Sequence, residues 1–416
     1  MALHPLTTTS AALRQSHDAQ LASPAFFSDP YPVYAALRRD DPVHWSDVLQ
    51  SWVLTRYDDV VAALRDPRLS SAGRMTQLLD QLPLPFRDEV RWIDDHYAAT
   101  LPFMMPPDHT RVRALVNKTF TPRVVEALRG TIEQTVDALL DQASSAGAFD
   151  VMGGLAYPLP IIIISALVGV PAAEREQFKQ WTYDIIGIFS SGRVLTDSVE
   201  RGRRALVETR AYLSDLIAAR RGQPQDDLIS TLVAVEEQGR GLSAEEVLAN
   251  CVTLFVAGHE TTNGLIGNGL AALLRHPAQL EQLRREPALI ESAVDEFLRY
   301  DGSLQRNWRL ATVDLEIGGQ TIRQGEMVSQ MLGSANRDPA QFADPDRLDL
   351  TRANTRQLGF GHGLHYCVGA PLARLETEIA INTLLRRFPR LRLASDALTW
   401  RADYTFRSLV ALPVEV

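Results

Sequence analysis

Cysteine is almost missing from this chain, with two in 416 residues, Cys251 and Cys367. One bridge is the most they could form, so a disulfide-stapled scaffold is excluded, and the lack of any Cys-x-x-Cys pair speaks against structural zinc and iron–sulfur clusters. Positive charge is not in excess either: 42 Lys and Arg stand against 51 Asp and Glu, a formal charge of -9. A nucleic-acid or anionic-membrane partner therefore has no global electrostatic basis. Long hydrophobic runs are also lacking. The longest, LAYPLPIIIISALVGVP at 155–171, falls short of the roughly 20 residues a membrane span needs and contains Pro158 and Pro160, so it reads as a buried helix. The N-terminal stretch MALHPLTTTSAALRQSHDAQ has neither the basic nor the apolar region of a signal peptide, and a cytoplasmic protein is expected.

What is present is an ordinary globular balance, 45% hydrophobic and 22% charged, enough for a sizeable core. No repeat, low-complexity run or long linker divides the chain, so one domain is expected. Helical periodicity dominates, as in PYPVYAALRRD, RYDDVVAALRD and TPRVVEALRGTIEQTVDALLDQASS. Strand signals are few. The clearest is LEIGGQTI, which predicts a tight hairpin around Gly318-Gly319.

One segment is longer than the rest. It starts at Ser243, with Glu246 three residues on as a capping box, and continues to about His276. At about 1.5 Å per residue it spans roughly 50 Å, and it is apolar nearly all round, with Val247, Leu248, Val252, Phe255, Leu265 and Leu270. Such a helix runs through the middle of a core. Cys251 lies on it without basic or metal-binding company and reads as a plain core thiol.

In its centre stands AGHETT, residues 257–262, where the flanks predict leucines. A glycine there costs roughly 1 kcal/mol and an unpaired buried carboxylate more. One reading is local: Thr261 bonds back to the Ala257 carbonyl and Glu260 pairs with a distant arginine, giving a kink. The other is chemical: Gly258 leaves room for a ligand against the helix, while Glu260 and Thr261 carry protons to it.

The second unusual stretch is FGHGLHYCVGA, residues 360–370. Cys367 sits just before the helical pattern APLARLETEIAINTLLRRF, where unpaired N–H groups and the helix dipole favour a thiolate. Gly361, Gly363 and Gly369 let the backbone pass close to a flat ligand, and Phe360 supplies an apolar wall. One thiolate with open coordination suits haem.

FGHGLHYCVGA resembles the haem-binding signature Phe-x-x-Gly-x-[Arg/His]-x-Cys-x-Gly of the cytochrome P-450 family. AGHETT resembles its distal helix motif, EFLR its Glu-x-x-Arg, and ANRDPAQFADPDRLDLTR its meander, all in the family's order. The resemblance covers residues 28–416 and matches the soluble bacterial type, leaving 1–27 as an N-terminal extension. It implies a mainly α fold with small β-sheets and a long central helix crossing over haem b. Cys367 becomes the proximal iron ligand and Glu260 with Thr261 the proton relay. Ala257, Gly258, Phe360, Gly361 and Gly369 lie against the ring, and His109, Arg113, Arg309 and His365 hold its propionates. Glu296 and Arg299 belong to a structural ion-pair network that takes in a meander arginine such as Arg347.

The implied activity is insertion of one oxygen atom of O2 into a small hydrophobic organic substrate, by hydroxylation or epoxidation. A peroxide-driven peroxygenase and a non-enzymatic haem-thiolate sensor are the alternatives. Because no stretch reads as a flavin or nicotinamide domain, electrons are expected from a separate ferredoxin and ferredoxin reductase. Seven arginines against two acids between residues 351 and 392 suggest a basic dock for that partner, or else a scattered solvated surface. The pocket is expected to include Met104, Met105, Leu304 and Phe406, with the segment from Gln305 to Trp308 recognising a polar group or facing away. Ser303 stands where the family often places proline.

Overall fold

The computed structural model describes residues 8–143, 147–190, 195–236, 241–353 and 356–416. Helices dominate these residues, alongside sheets of five, three and two strands, which is the mainly α architecture expected. No helix among them is long and apolar enough to cross a membrane. The 155–171 stretch forms the buried helix Pro158–Val168, which Pro158 opens instead of interrupting, since a proline at the first helical position sacrifices no intrahelical bond. Gly169, at φ 86°, closes it in the left-handed conformation. The pattern from Thr121 onward breaks at Leu128 into two helices, Pro122–Ala127 and Arg129–Ala143.

The long helix runs from Ala244 to Leu274 behind its capping box. Ser243 Oγ accepts the Glu246 N–H at 3.1 Å, and the Glu246 carboxylate accepts the Ser243 N–H at 2.8 Å. It packs against Pro158–Val168, Thr196–Gly222, Ile290–Asp301 and Ala370–Arg387, so helices cover it on several sides and its all-round apolarity is explained. Cys251 is fully buried there, and burial pushes its thiol up to about 12.

The five-stranded sheet has the order Val43–Ser46, Ser51–Leu54, Met327–Met331, Arg306–Ala311, Leu69–Ser70. Arg306–Ala311 pairs antiparallel with Met327–Met331, Arg309 opposite Val328, and this register fixes the arginines of that strand at the cavity edge. The predicted hairpin is present as Leu315–Ile317 against Gln320–Ile322, turning through Gly318 and Gly319 at φ 55° and 77°. Both turn residues need positive φ, which glycine adopts without a steric penalty.

Two expectations need correction. Residues from 8 to 27 do not stand apart: in the helix Thr8–Leu21, Asp18 accepts hydrogen bonds from Ser46 Oγ at 2.6 Å and the Asp47 N–H at 2.8 Å, and Leu21 is wholly buried. The ion-pair network also chooses a different meander arginine. Glu296 is gripped by Arg299 through two bonds of 2.7 and 2.8 Å and by Arg352 Nε at 3.2 and 3.3 Å, and it accepts the Asp349 N–H at 2.9 Å. Arg347 contributes only its carbonyl to Arg299 and Arg352, while its side chain is 64% exposed beside Asp349.

Candidate active site

Phe360 to Ala370 forms a loop that ends where the helix Ala370–Arg387 begins. Gly361 and Gly363, at φ 73° and 72°, turn the chain in a region closed to most side chains. The Cys367 N–H then bonds the Phe360 carbonyl at 3.0 Å and closes the loop on itself. This brings the Cys367 sulfur beneath the first N–H groups of the helix, those of Gly369 and Ala370, and onto the wall of a cavity of ≈ 330 Å³. Burial pushes the thiol above its ordinary value, against the pull of those N–H groups and of Arg113.

Cations gather at one side of the same cavity. Arg113 and Arg309 line it with His365, and the His109 ring stands edge-on to that of His365 at 4.5 Å. Arg309 Nη1 donates to Asn307 Oδ1 at 2.8 Å and to the Trp308 carbonyl at 2.9 Å. Arg113 Nε donates to Asn117 Oδ1 at 3.0 Å, and His365 Nε2 lies 2.9 Å from Ser71 Oγ. None of the four is attracted by a carboxylate. Burial and the neighbouring positive groups Arg309, His109, Arg74 and Arg113 push His365 down to about 2. The two guanidiniums, Arg113 and Arg309, have no carboxylate partner among the described residues, so an anion placed between them would be held by both.

AGHETT crosses the cavity without leaving the helix. Thr261 Oγ1 donates to the Ala257 carbonyl at 2.8 Å, and Glu260 Oε1 is 3.2 Å from Arg401 Nη1. The local reading of this motif therefore holds in its hydrogen bonds. Even so, Ala257, Glu260 and Thr261 all line the cavity, where a carboxylate and a hydroxyl face the space above Cys367. Gly258 departs from its expected role. It is not on the cavity wall, and a Cβ there would stand 3.3 Å from the Ile164 side chain, so its smallness seats the helix Pro158–Val168.

Several contributors escaped sequence reasoning. Asn263 Nδ2 donates to Glu260 Oε2 at 3.2 Å, and Ser303 Oγ donates to the Thr261 carbonyl at 2.7 Å, a bond that proline could not make. Arg74 is buried in the wall, where its guanidinium donates to the carbonyls of Ser71, Trp308 and Pro102 at 2.8, 3.0 and 2.7 Å. Arg401 and two of the three partners of Arg74, Trp308 and Pro102, carry no local signal, since they meet across the fold. Met104 and Met105 lie off the cavity, as does Gln305, while Leu304, Phe406 and Arg306 to Trp308 line it. Of the seven arginines between 351 and 392, Arg352 pairs with Glu296 and Arg374 with Asp295, Arg387 with Asp137 and Asp141, and Arg392, 71% exposed, with Glu415.

Residues 85–396 match the model of the family described as Cytochrome P450. The chain belongs to the cytochrome P450 family. It is 42% identical over 418 residues to the vitamin D(3) 25-hydroxylase of Pseudonocardia autotrophica, covering 98% of each chain. It is 39% identical over 405 residues to the 6-deoxyerythronolide B hydroxylase of Saccharopolyspora erythraea, covering 95% of this chain and 98% of that one. Among solved structures, P450BioI in complex with acyl carrier protein ligated to hexadec-9Z-enoic acid superposes with a TM-score of 0.87 at 39% identity, over 95% of this chain and all of that one. Cytochrome P450 proteins use haem b, and this cavity fits it. The Cys367 sulfur stands on its wall, and Arg113 and Arg309, with no carboxylate partner among the described residues, border the same space, a donor set that suits the iron and the propionates of one molecule.

Proposed function

We propose that this cytochrome P450 monooxygenase inserts one oxygen atom of O2 into a small hydrophobic organic molecule, in the cytoplasm, with electrons from a separate ferredoxin and ferredoxin reductase. Cys367 would hold the iron and Ala257 would border the ring; Arg113, Arg309 and His365 on the wall would carry the propionates, with His109 against His365, and Phe360, Gly361 and Gly369, off the wall itself, would shape the loop that presents the sulfur. When bound, haem supplies dioxygen activation and the oxidising power for the insertion. The observation that carries the reading is the Cys367 sulfur at the helix terminus on the wall of an apolar cavity whose cations lack carboxylate partners.

The chain's own part beyond binding is proton delivery and exclusion of water. Glu260 is buried, with Oε1 on Arg401 and Oε2 on Asn263, and the Arg401 side chain is 30% exposed. A proton entering beside Arg401 can therefore pass through the carboxylate into the cavity. The Thr261 hydroxyl donates to Ala257, which leaves its lone pairs to accept from a cavity water and fix that water's direction. Ser303, bonded to the Thr261 carbonyl, holds this turn of helix in place. Apolar side chains such as Leu254, Val256 and Ile185 keep bulk water away from the reacting carbon.

A peroxygenase reading would leave the Glu260–Thr261 pair without work, and a sensor would need no relay. The deciding experiment first titrates the purified holoprotein with terpenoids, steroids, fatty acids, macrolides and an acyl carrier protein thioester, reading the haem Soret band. Whichever compound shifts the spin state is then turned over with ferredoxin, reductase and NADPH, or with hydrogen peroxide. Product from the reductase system and little from peroxide is expected; the reverse would favour the peroxygenase.

A further inference from the structure

The charge of the cavity wall does not end with the propionates. Among the described residues it holds four arginines, Arg74, Arg113, Arg306 and Arg309, against a single carboxylate, Glu260, which is already paired to Arg401. Two propionates would neutralise two of the four. Arg74 is satisfied by three carbonyls, so the residue left over is Arg306.

Arg306 is 94% buried, at 6% relative exposure, yet among the described residues makes one hydrogen bond, from Nη2 to Thr405 Oγ1 at a long 3.3 Å. Its Nε has no partner, and its guanidinium lies over the Trp308 ring at 5.2 Å. It forms no ion pair with a carboxylate of the described residues. Asp403, which attracts it most, has Oδ1 engaged by the N–H groups of Thr405 and Phe406. A buried guanidinium with unused donors is costly unless an anion completes it.

Its position separates it from the propionate cluster. Along the strand Arg306–Ala311 side chains alternate, so Arg306 and Trp308 share one face while Asn307 and Arg309 share the other. Three residues of strand put Arg306 about 10 Å from Arg309. Arg306, Trp308 and Phe189 also border a second, small recess with Gln50, Leu78 and Ile188, so Arg306 is shared between the two linings. A wall of this kind suits an amphipathic molecule, its apolar body directed toward Cys367 and its charged end on Arg306.

We propose that Arg306 is a substrate-recognition residue that binds the carboxylate of an aliphatic acid through a charge-assisted hydrogen bond, with Trp308 packing its guanidinium and Thr405 orienting it. This inference rests on the monooxygenase reading and names the substrate class of that site. Planar guanidinium and carboxylate pair through parallel N–H donors, so an uncharged ester or alcohol of equal length would lose the contact.

The test titrates purified holoenzyme with dodecanoate, methyl dodecanoate and dodecan-1-ol, reading the Soret spin shift and, independently, heat by calorimetry. Dodecanoate is expected to bind about tenfold or more tighter than the ester, the factor one charge-assisted hydrogen bond supplies. In Arg306→Leu that preference should vanish while ester affinity stays, and Arg306→Lys should restore part of it. Equal binding of acid and ester by wild-type holoenzyme, or an acid preference that survives in Arg306→Leu, would overturn the assignment while leaving the monooxygenase reading intact. Failure of the wild-type protein to show a thiolate-type haem spectrum would overturn that reading and this inference with it.

Discussion

Replacing Glu296 by glutamine keeps the side chain's shape and removes its charge, which leaves the Arg299 guanidinium, 2% exposed, without its counter-ion. Breaking a buried pair from one side costs about 3–5 kcal/mol, mostly the desolvation of the charge left behind. The unfolding entropy of about 2.1 cal/mol/K per residue gives roughly 0.9 kcal/mol/K for a chain of 416 residues. The thermal midpoint of Glu296→Gln should therefore fall by about 3–6 °C. Arg352→Ala removes the second cation but leaves the Arg299 pair intact, and should fall by a smaller but measurable amount. Arg347→Ala removes a side chain that is 64% exposed, and should stay within about 0.5 kcal/mol of wild type. Scanning calorimetry of the three purified holoproteins decides the matter. A Glu296→Gln midpoint within 1 °C of wild type, or an Arg347→Ala loss equal to that of Arg352→Ala, would refute the assignment of the network.

Other consequences are equally direct. Thr261→Ala should keep the haem spectrum and NADPH consumption but divert electrons to peroxide, lowering product per NADPH by about a hundredfold; unchanged coupling would remove Thr261 from the relay. Ser303→Pro deletes the bond to the Thr261 carbonyl and should cost about 1 kcal/mol in chemical denaturation, together with weaker coupling. Glu376 is buried with Oε2 unpartnered, and burial pushes it up to about 8 from 4.5. Because the folded value lies above the unfolded one, its contribution is intact below about pH 4.5 and is lost as pH rises through 8. By pH 7 the loss is about 3 kcal/mol at about 1.4 kcal/mol per pH unit, so Glu376→Gln should flatten the midpoint-against-pH curve in that window. An unchanged curve would count against a buried titrating Glu376.

How far the sequence could be read depended on whether partners are near in the chain. The capping box at Ser243, the hairpin at Gly318-Gly319 and the loop from Phe360 to Ala370 are local devices, and each appears where the pattern puts it. The four residues that the resemblance assigns to the propionates lie near one another: Arg113, Arg309 and His365 on the cavity wall and His109 against the His365 ring. Long-range choices were not legible. Glu296 selects Arg352 over Arg347 because the meander's path, five residues of irregular backbone, decides which guanidinium turns inward. Gly258 looks like space for a ligand until the helix Pro158–Val168 is seen to occupy that space with Ile164. Arg74 carried no role in the pattern, and Arg306 stood only within a segment, Gln305 to Trp308, that could recognise a polar group or face away. Only the fold shows that one is satisfied by carbonyls and the other is left waiting for an anion.

The central claim is that Cys367 is the iron ligand, and the carbon monoxide difference spectrum of the reduced holoprotein tests it most directly. Wild type should show the red-shifted Soret band of a thiolate-ligated ferrous carbonyl, and Cys367→Ser should lose it, while Cys251→Ser, whose thiol is buried away from the cavity, keeps it. A thiolate-type band that survives in Cys367→Ser would contradict the account.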